Sequence, residues 1–206
     1  HLRASAESSE GFYIGGPRNI KNRKQLLAAR RAFDARVAAD YRGGDWYDRY
    51  RASVDELTGG DPVSNAWMSA QEGQWSAGVD PGSEFGFALK ENTGVLTGFP
   101  VKAGRPLPHL MHKEAARLND ITKYMRGPKT GEYADHVIPG SKLANTATGV
   151  NDFRYAQEWG FTDTAGKPQT QGLNEAQHAW LDHETALAVD RANKKALGGR
   201  TNWTGE

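Results

Sequence analysis

The stretch RGPKTGEYA, residues 126–134, decides how the middle of this chain is built. Its glycine and proline interrupt a preceding helix, and proline suits the first position of a new one, where its missing N–H has no helical partner. The pattern predicts a helix over 129–138. The first N–H groups of such a helix are free to bind an anion. The stretch is therefore either an ordinary helix start or a phosphate-binding turn that also carries a reactive amine, Lys129.

The same punctuation recurs on both sides of this stretch and predicts an all-α fold. Asp61-Pro62 and Asp80-Pro81 each place a capping carboxylate before a proline. Glycine pairs at 43–44 and 59–60 end the first two predicted helices of the chain. No segment shows the alternation of a strand. We expect a single globular helical domain of about eight or nine helices over 19–206, after an irregular N-terminal arm over 1–18. The other predicted helices are 19–39, 46–57 with Asp45 as its cap, 110–125, 151–161 and 173–197.

The first predicted helix combines an apolar stripe with a basic surface. Asn19 is its predicted cap, and residues 1–51 hold eleven lysines and arginines against six acidic residues. A basic helix can follow the phosphates of a nucleic acid, which makes Lys24, Arg30 and Arg31 candidate DNA contacts. A solvated helical face is the alternative interpretation. The apolar stripe is predicted to consist of Leu26, Leu27, Phe33 and Val37.

Composition excludes several other classes of site. The 206 residues contain no cysteine, which rules out disulfides and thiolate zinc sites, and no run approaches the ~18 apolar residues of a membrane span. His178 and His183 lie about 140° apart on a helix, so they cannot bind one ion. We therefore expect no metal site and no cofactor. The six tryptophans fall mostly on apolar helical stripes, which favours core packing over a base-stacking platform.

Residues 127–131, GPKTG, and 149–152, GVND, resemble two motifs of the helix-hairpin-helix DNA glycosylases. Members of that family carry a glycine-rich hairpin that ends in Gly-x-Lys-Thr-Ala or a close variant, then, after a further helix, a Val-Asp pair at the start of the next one. In this chain Met125 stands in place of the hairpin's first glycine, and Asn151 stands in place of the valine.

The resemblance implies a role for each matching position. The hairpin, with Gly127, Pro128 and Thr130, would hold a phosphate of the DNA backbone. Lys129 would be the nucleophile that forms a Schiff base, and Asp152 would support attack on the anomeric carbon of the sugar. The target base would first be flipped out of the duplex.

From residue 45 onward, the order of motifs also resembles domains that bacteriophages encode within long multi-domain or virion polypeptides. This second resemblance implies DNA, other phage proteins or a larger parent polypeptide as partners, no membrane, and a location in the host cytoplasm or the virion. Three hypotheses follow. The chain is a DNA-binding protein of glycosylase-like ancestry, an active glycosylase or lyase that uses Lys129 and Asp152, or a virion or assembly protein whose helices serve protein contacts.

Overall fold

The structure, a computed structural model, describes residues 15–39, 45–76, 79–97, 113–121, 128–141, 149–170 and 172–205. Within these ranges the predicted all-α fold is confirmed, and extended pairing is confined to one isolated bridge between Thr162 and Pro168. A short 3-10 turn, Leu197–Gly199, follows the last α-helix. The α-helices are α1 (Arg23–Ala39), α2 (Trp46–Thr58), α3 (Pro62–Trp75), α4 (Pro81–Thr97), α5 (113–118), α6 (Pro128–Val137), α7 (Phe153–Glu158) and α8 (Glu175–Lys194).

The predicted Asp-Pro caps are confirmed. Asp61 accepts the backbone N–H three residues on at 2.8 Å, and Asp80 does the same at 3.0 Å. Gly59, with a φ of 65°, ends α2 in the left-handed conformation that glycine adopts without steric strain. Asp45 is different, because it makes no capping hydrogen bond at the start of α2 and pairs with Arg49 instead.

Three sequence predictions in the outer parts of the chain were wrong in detail. Asn22, not Asn19, caps α1, since its Oδ1 accepts the backbone N–H three residues on at 3.0 Å. Leu26 is buried but Leu27 is 38% exposed, because successive helical residues lie about 100° apart and cannot share one buried face. Helix α7 is shorter than 151–161, since Gly160, at a φ of 86°, turns the chain away.

The chain divides into two compact units. A terminal unit comprises His1–Gly44 and Asn145–Glu206, and a central unit comprises Asp45–Ala144. The terminal unit therefore brings α1 together with α7 and α8, which follow it by more than a hundred residues. The central unit contains α2 to α6.

The core of the terminal unit is aromatic. Trp159 stacks on Phe33 of α1 at a ring-centroid distance of 4.4 Å and meets Trp180 of α8 edge-on at 5.4 Å. The chain before α1 packs on α8 as well: a Cβ on Gly15, whose φ is 81°, would lie 2.0 Å from the carbonyl oxygen of Ala176. Residues 15–18, which belong to the predicted arm, thus begin with a glycine that allows this approach.

Helix α3 is the centre of the central unit. It packs against α2, α4 and α6, and every residue from Met68 to Trp75 is buried. Gly73 makes the packing on α6 possible, because a Cβ there would lie 2.5 Å from the carbonyl oxygen of Thr130 and 3.0 Å from the Cβ of Ala134. A helix enclosed by its neighbours buries polar residues too, and in α3 these are Asn65, Ser69, Gln71, Glu72 and Gln74.

Candidate functional site

Lys129 occupies the second position of α6 in the central unit, so the helix start predicted from RGPKTGEYA is confirmed. Its Nζ donates a hydrogen bond to the carbonyl oxygen of Ser76, just after the end of α3, at 2.9 Å. Thr130 is half-buried in the same turn. Pro128 begins the helix, and Gly127 lies outside the described residues. The predicted phosphate grip by the hairpin therefore stays a prediction.

A buried carboxyl group lies beside Lys129. Glu84 of α4 is only 2% exposed, and its Oε1 accepts a hydrogen bond from the hydroxyl of Tyr133 on α6. Burial raises the pKa of Glu84 to about 7, while the Tyr133 hydrogen bond and the positive charge of Lys129 act in the opposite direction. Glu84 therefore exchanges its proton near neutral pH.

A second buried carboxyl group, Glu72, lies in the middle of α3. The side chain is fully buried, and neither carboxylate oxygen has a partner in hydrogen-bond geometry. Burial raises the pKa of Glu72 to about 8, the nearby Tyr50 hydroxyl lowers it, and the negative charge of Glu84 raises it further. The same two carboxylates, together with burial, raise the pKa of Tyr50. Four helices thus contribute Tyr50, Glu72, Glu84 and Tyr133 to one buried polar cluster, which we call the glutamate cluster.

Asp152, the other residue that the glycosylase resemblance selects, lies in the terminal unit. Its carboxylate accepts the backbone N–H of Tyr155 at 2.8 Å and caps α7. Lys129 belongs to the central unit, where its Nζ donates to the carbonyl oxygen of Ser76. Their predicted cooperation on a DNA sugar stays a prediction.

Asn151, the residue before Asp152, belongs to a small polar group that also contains two side chains of α8. Asn151 is 1% exposed and donates to the Oδ1 of Asp182 at 2.5 Å. His178, one helical turn before Asp182, is also buried. Burial lowers the pKa of His178, against the attraction of the Asp182 charge, and burial raises the pKa of Asp182. Of the two α8 histidines, His178 is the more buried, since His183 is half-buried.

The predicted DNA contacts on α1 fall into two groups. Arg30 makes two hydrogen bonds of 2.7 Å to the carboxylate of Glu184, which is 1% exposed, so its guanidinium joins α1 to α8. Lys24 and Arg31 are exposed. Two further exposed cations lie at the start of the helix, and none of the four makes an ion pair within the described residues. We call this group the basic face: Lys21, Arg23, Lys24 and Arg31.

The terminal unit also contains a cavity of about 480 Å³ near the start of α8. Gly15 and Gly16 form one wall, and the turn over 161–164 forms another. Its lining is mostly polar, with Arg18 among the side chains at its border. Nothing in the sequence predicts this cavity, because its walls come from segments that are more than a hundred residues apart.

The glutamate cluster and its environment were also missed by sequence reasoning. The large apolar residues of α3, Trp67, Met68 and Trp75, lie within about 100° of one another around the helix, so the sequence shows one apolar face and gives no sign that Glu72 is buried. The partners of Glu72 come from other helices, and no pattern within α3 identifies them.

No protein-family model, curated protein or solved structure matches the chain. In the part of the chain that the structure describes, no helix is both long and apolar enough to cross a membrane. The same residues contain no group of three histidine, cysteine, aspartate or glutamate side chains that could hold a metal ion. The glycosylase and phage resemblances therefore stay predictions from the sequence.

Proposed function

We propose that the chain binds DNA and that the basic face of the terminal unit contacts the phosphate backbone. The observation that carries this proposal is the set of four exposed cations without an acidic partner among the described residues. The first turn of α1 contains no acidic residue, so its positive helix end adds to the attraction for phosphate. The net charge of the whole chain is only +1, so the attraction comes from this local arrangement.

The geometry of α1 suits a phosphate backbone. Lys24 and Arg31 are seven residues apart, which places them on one face of the helix and about 10.5 Å apart along its axis. Three base steps of duplex DNA rise by about 10 Å along one strand. Both cations can therefore contact phosphates of the same strand, while Arg30 on the neighbouring face holds α1 against α8.

The test is the salt dependence of DNA binding. Fluorescence anisotropy with a 20-base-pair duplex is measured between 50 and 200 mM salt for the wild type and for the double variant Lys24→Gln, Arg31→Gln. The loss of two phosphate contacts is expected to lower the affinity and to reduce the slope of log affinity against log salt by about 2. A control with the same change in charge is Arg117→Gln, Lys194→Gln, because both side chains are exposed but paired with acidic neighbours. Equal losses in the two double variants, or no binding by the wild type, contradict the proposal.

A DNA lyase is the second candidate function, and the position of Glu84 favours it. A lysine nucleophile must first lose a proton, and Glu84, with a pKa of about 7, is close enough to Lys129 for their charges to interact. Asp152 supplies the carboxylate that the glycosylase resemblance requires. The test is borohydride trapping on DNA that contains an abasic site, with Lys129→Arg as the matched variant. Absence of a trapped wild-type adduct rejects this candidate, and so does an adduct that persists in the variant.

A virion or assembly role is favoured by exposed apolar residues in the central unit. Leu57, in the last turn of α2, is 49% exposed, and Val63, in the first turn of α3, is 65% exposed. Exposed apolar residues mark a protein contact when they form one contiguous patch. Sedimentation of the wild type and of Leu57→Ser, Val63→Ser tests the role: an oligomer that the double variant loses supports it, and a wild-type monomer rejects self-assembly.

A further inference from the structure

The cavity of the terminal unit has firm walls. Asp163 Oδ1 accepts the backbone N–H groups of Ala165 and Lys167 at 2.8 and 2.9 Å, which fixes the turn on one side. On the other side, a Cβ on Gly16 would lie 2.8 Å from the indole nitrogen of Trp180, so the glycines hold the chain close to α8. A volume of about 480 Å³ is within the usual range for small-molecule sites.

The lining has hydrogen-bonding groups available for a ligand. The Arg18 guanidinium makes one hydrogen bond to a described residue, a long one of 3.4 Å to the carbonyl oxygen of Asp163, so its other N–H groups have no acceptor within the described residues. The hydroxyls of Thr162 and Thr170 make no hydrogen bond within the described residues. Asp163 adds a carboxylate to the wall, but its Oδ1 is occupied by the backbone of its own turn.

We propose that this cavity binds a nucleoside monophosphate, with the phosphate at Arg18 and the sugar and base against the hydroxyl-lined wall. Arginine presents several N–H donors in a fixed plane, which matches the oxygens of a phosphate. Arg18 precedes the first cation of the basic face, Lys21, by three residues. The inference thus rests on the proposed function and deepens it. DNA bound at the basic face is the ligand that can also place one of its nucleotides in the cavity.

The lining suggests two variants. Gly172 borders the cavity, and a Cβ built on it meets nothing within 4 Å. Gly172→Leu therefore adds a large apolar side chain at the border of the cavity without a backbone clash, and Arg18→Gln removes the phosphate contact. Calorimetric titration with deoxyadenosine 5′-monophosphate is expected to show about a tenfold or greater loss of affinity for each variant. Deoxyadenosine and inorganic phosphate, titrated separately, show whether both halves of the nucleotide are recognised.

The outcomes separate this inference from the proposed function. The double variant Lys24→Gln, Arg31→Gln does not alter the cavity, so it is expected to keep its affinity for the mononucleotide while it loses affinity for duplex DNA. Mononucleotide binding by the wild type that both Gly172→Leu and Arg18→Gln weaken supports the cavity, even if duplex binding fails. No mononucleotide binding, or equal binding by Gly172→Leu with an unchanged circular dichroism spectrum, overturns the inference and leaves the basic face to its own test.

Discussion

The replacement Glu72→Gln tests whether the buried carboxyl group of α3 makes the protein sensitive to pH. Glutamine keeps the shape of the side chain and removes its titration. In the unfolded chain Glu72 ionises near its ordinary pKa of 4.5, whereas in the folded protein burial raises the pKa to about 8. The protonated form is therefore favoured by folding. Its contribution to stability is complete below pH 4.5 and is lost as the pH rises through about 8.

The magnitude follows from the two pKa values. Each pKa unit corresponds to about 1.4 kcal/mol, so the shift from 4.5 to about 8 sets an upper limit of about 5 kcal/mol for the stability that Glu72 loses across this range. Between pH 5 and 8, the free energy of unfolding of Glu72→Gln minus that of the wild type is expected to rise by about 1.4 kcal/mol per pH unit. Titrating groups that do not interact with Glu72 are common to both proteins, so their effects cancel in this difference; Glu84 and Tyr50, which interact with Glu72, do not cancel fully.

Guanidinium chloride unfolding, followed by circular dichroism at pH 5, 6, 7 and 8, measures the difference. Glu56→Gln serves as the control, because Glu56 is exposed on α2 of the same unit and also loses one carboxylate. A difference between Glu72→Gln and the wild type that stays constant across the range refutes the argument. So does an equal rise for Glu56→Gln.

Three further substitutions test the packing and the caps. Gly73→Ala is expected to destabilise the central unit by roughly 1–3 kcal/mol, because the new Cβ meets the backbone of α6. Gly131→Ala is the control, because nothing lies within 4 Å of its new Cβ, and it is expected to stabilise α6 slightly. Thermal melts compare the two variants. Arg30→Ala leaves the buried carboxylate of Glu184 without its partner and is expected to lower the free energy of unfolding by about 3–5 kcal/mol, so a loss below 1 kcal/mol in urea titrations contradicts the buried pair. Asp152→Ala is expected to lower stability by about 1 kcal/mol through loss of the α7 cap, whereas Asp152→Asn keeps the cap and the stability; equal melting temperatures for the two variants reject the capping role.

The helices were predictable because their starts depend on local chemistry. A carboxylate accepts the N–H three residues ahead of it, so Asp61 and Asp80 specify helix starts without help from the rest of the chain. The same reasoning placed the α1 cap at Asn19 when two asparagines were available within four residues, and the structure uses Asn22. The division into two units was not predictable, because an apolar stripe such as that of α1 does not identify the helix that covers it.

The sequence predicts single residues of the candidate sites but not the partners of those residues. The sequence places Lys129 at a helix start, but its acceptor on Ser76 and its neighbour Glu84 come from positions 53 and 45 residues earlier in the chain. The glutamate cluster and the terminal cavity likewise depend on several segments. Pairings of this kind follow from how helices pack in three dimensions, which the spacing of residues within one helix does not determine.

The local roles of Lys129 and Asp152 change how much the glycosylase resemblance can explain. Any short side chain with a hydrogen-bond acceptor can cap α7. The capping role therefore accounts for Asp152 without any need for its negative charge. Lys129 likewise fulfils a structural role by donating to the carbonyl oxygen of Ser76 after the end of α3. Catalysis makes a demand that these roles do not, namely a free amine and an ionised carboxylate. Asp152→Asn therefore separates the two explanations, because it keeps the cap but removes the charge, and only the lyase hypothesis expects it to abolish a trapped adduct.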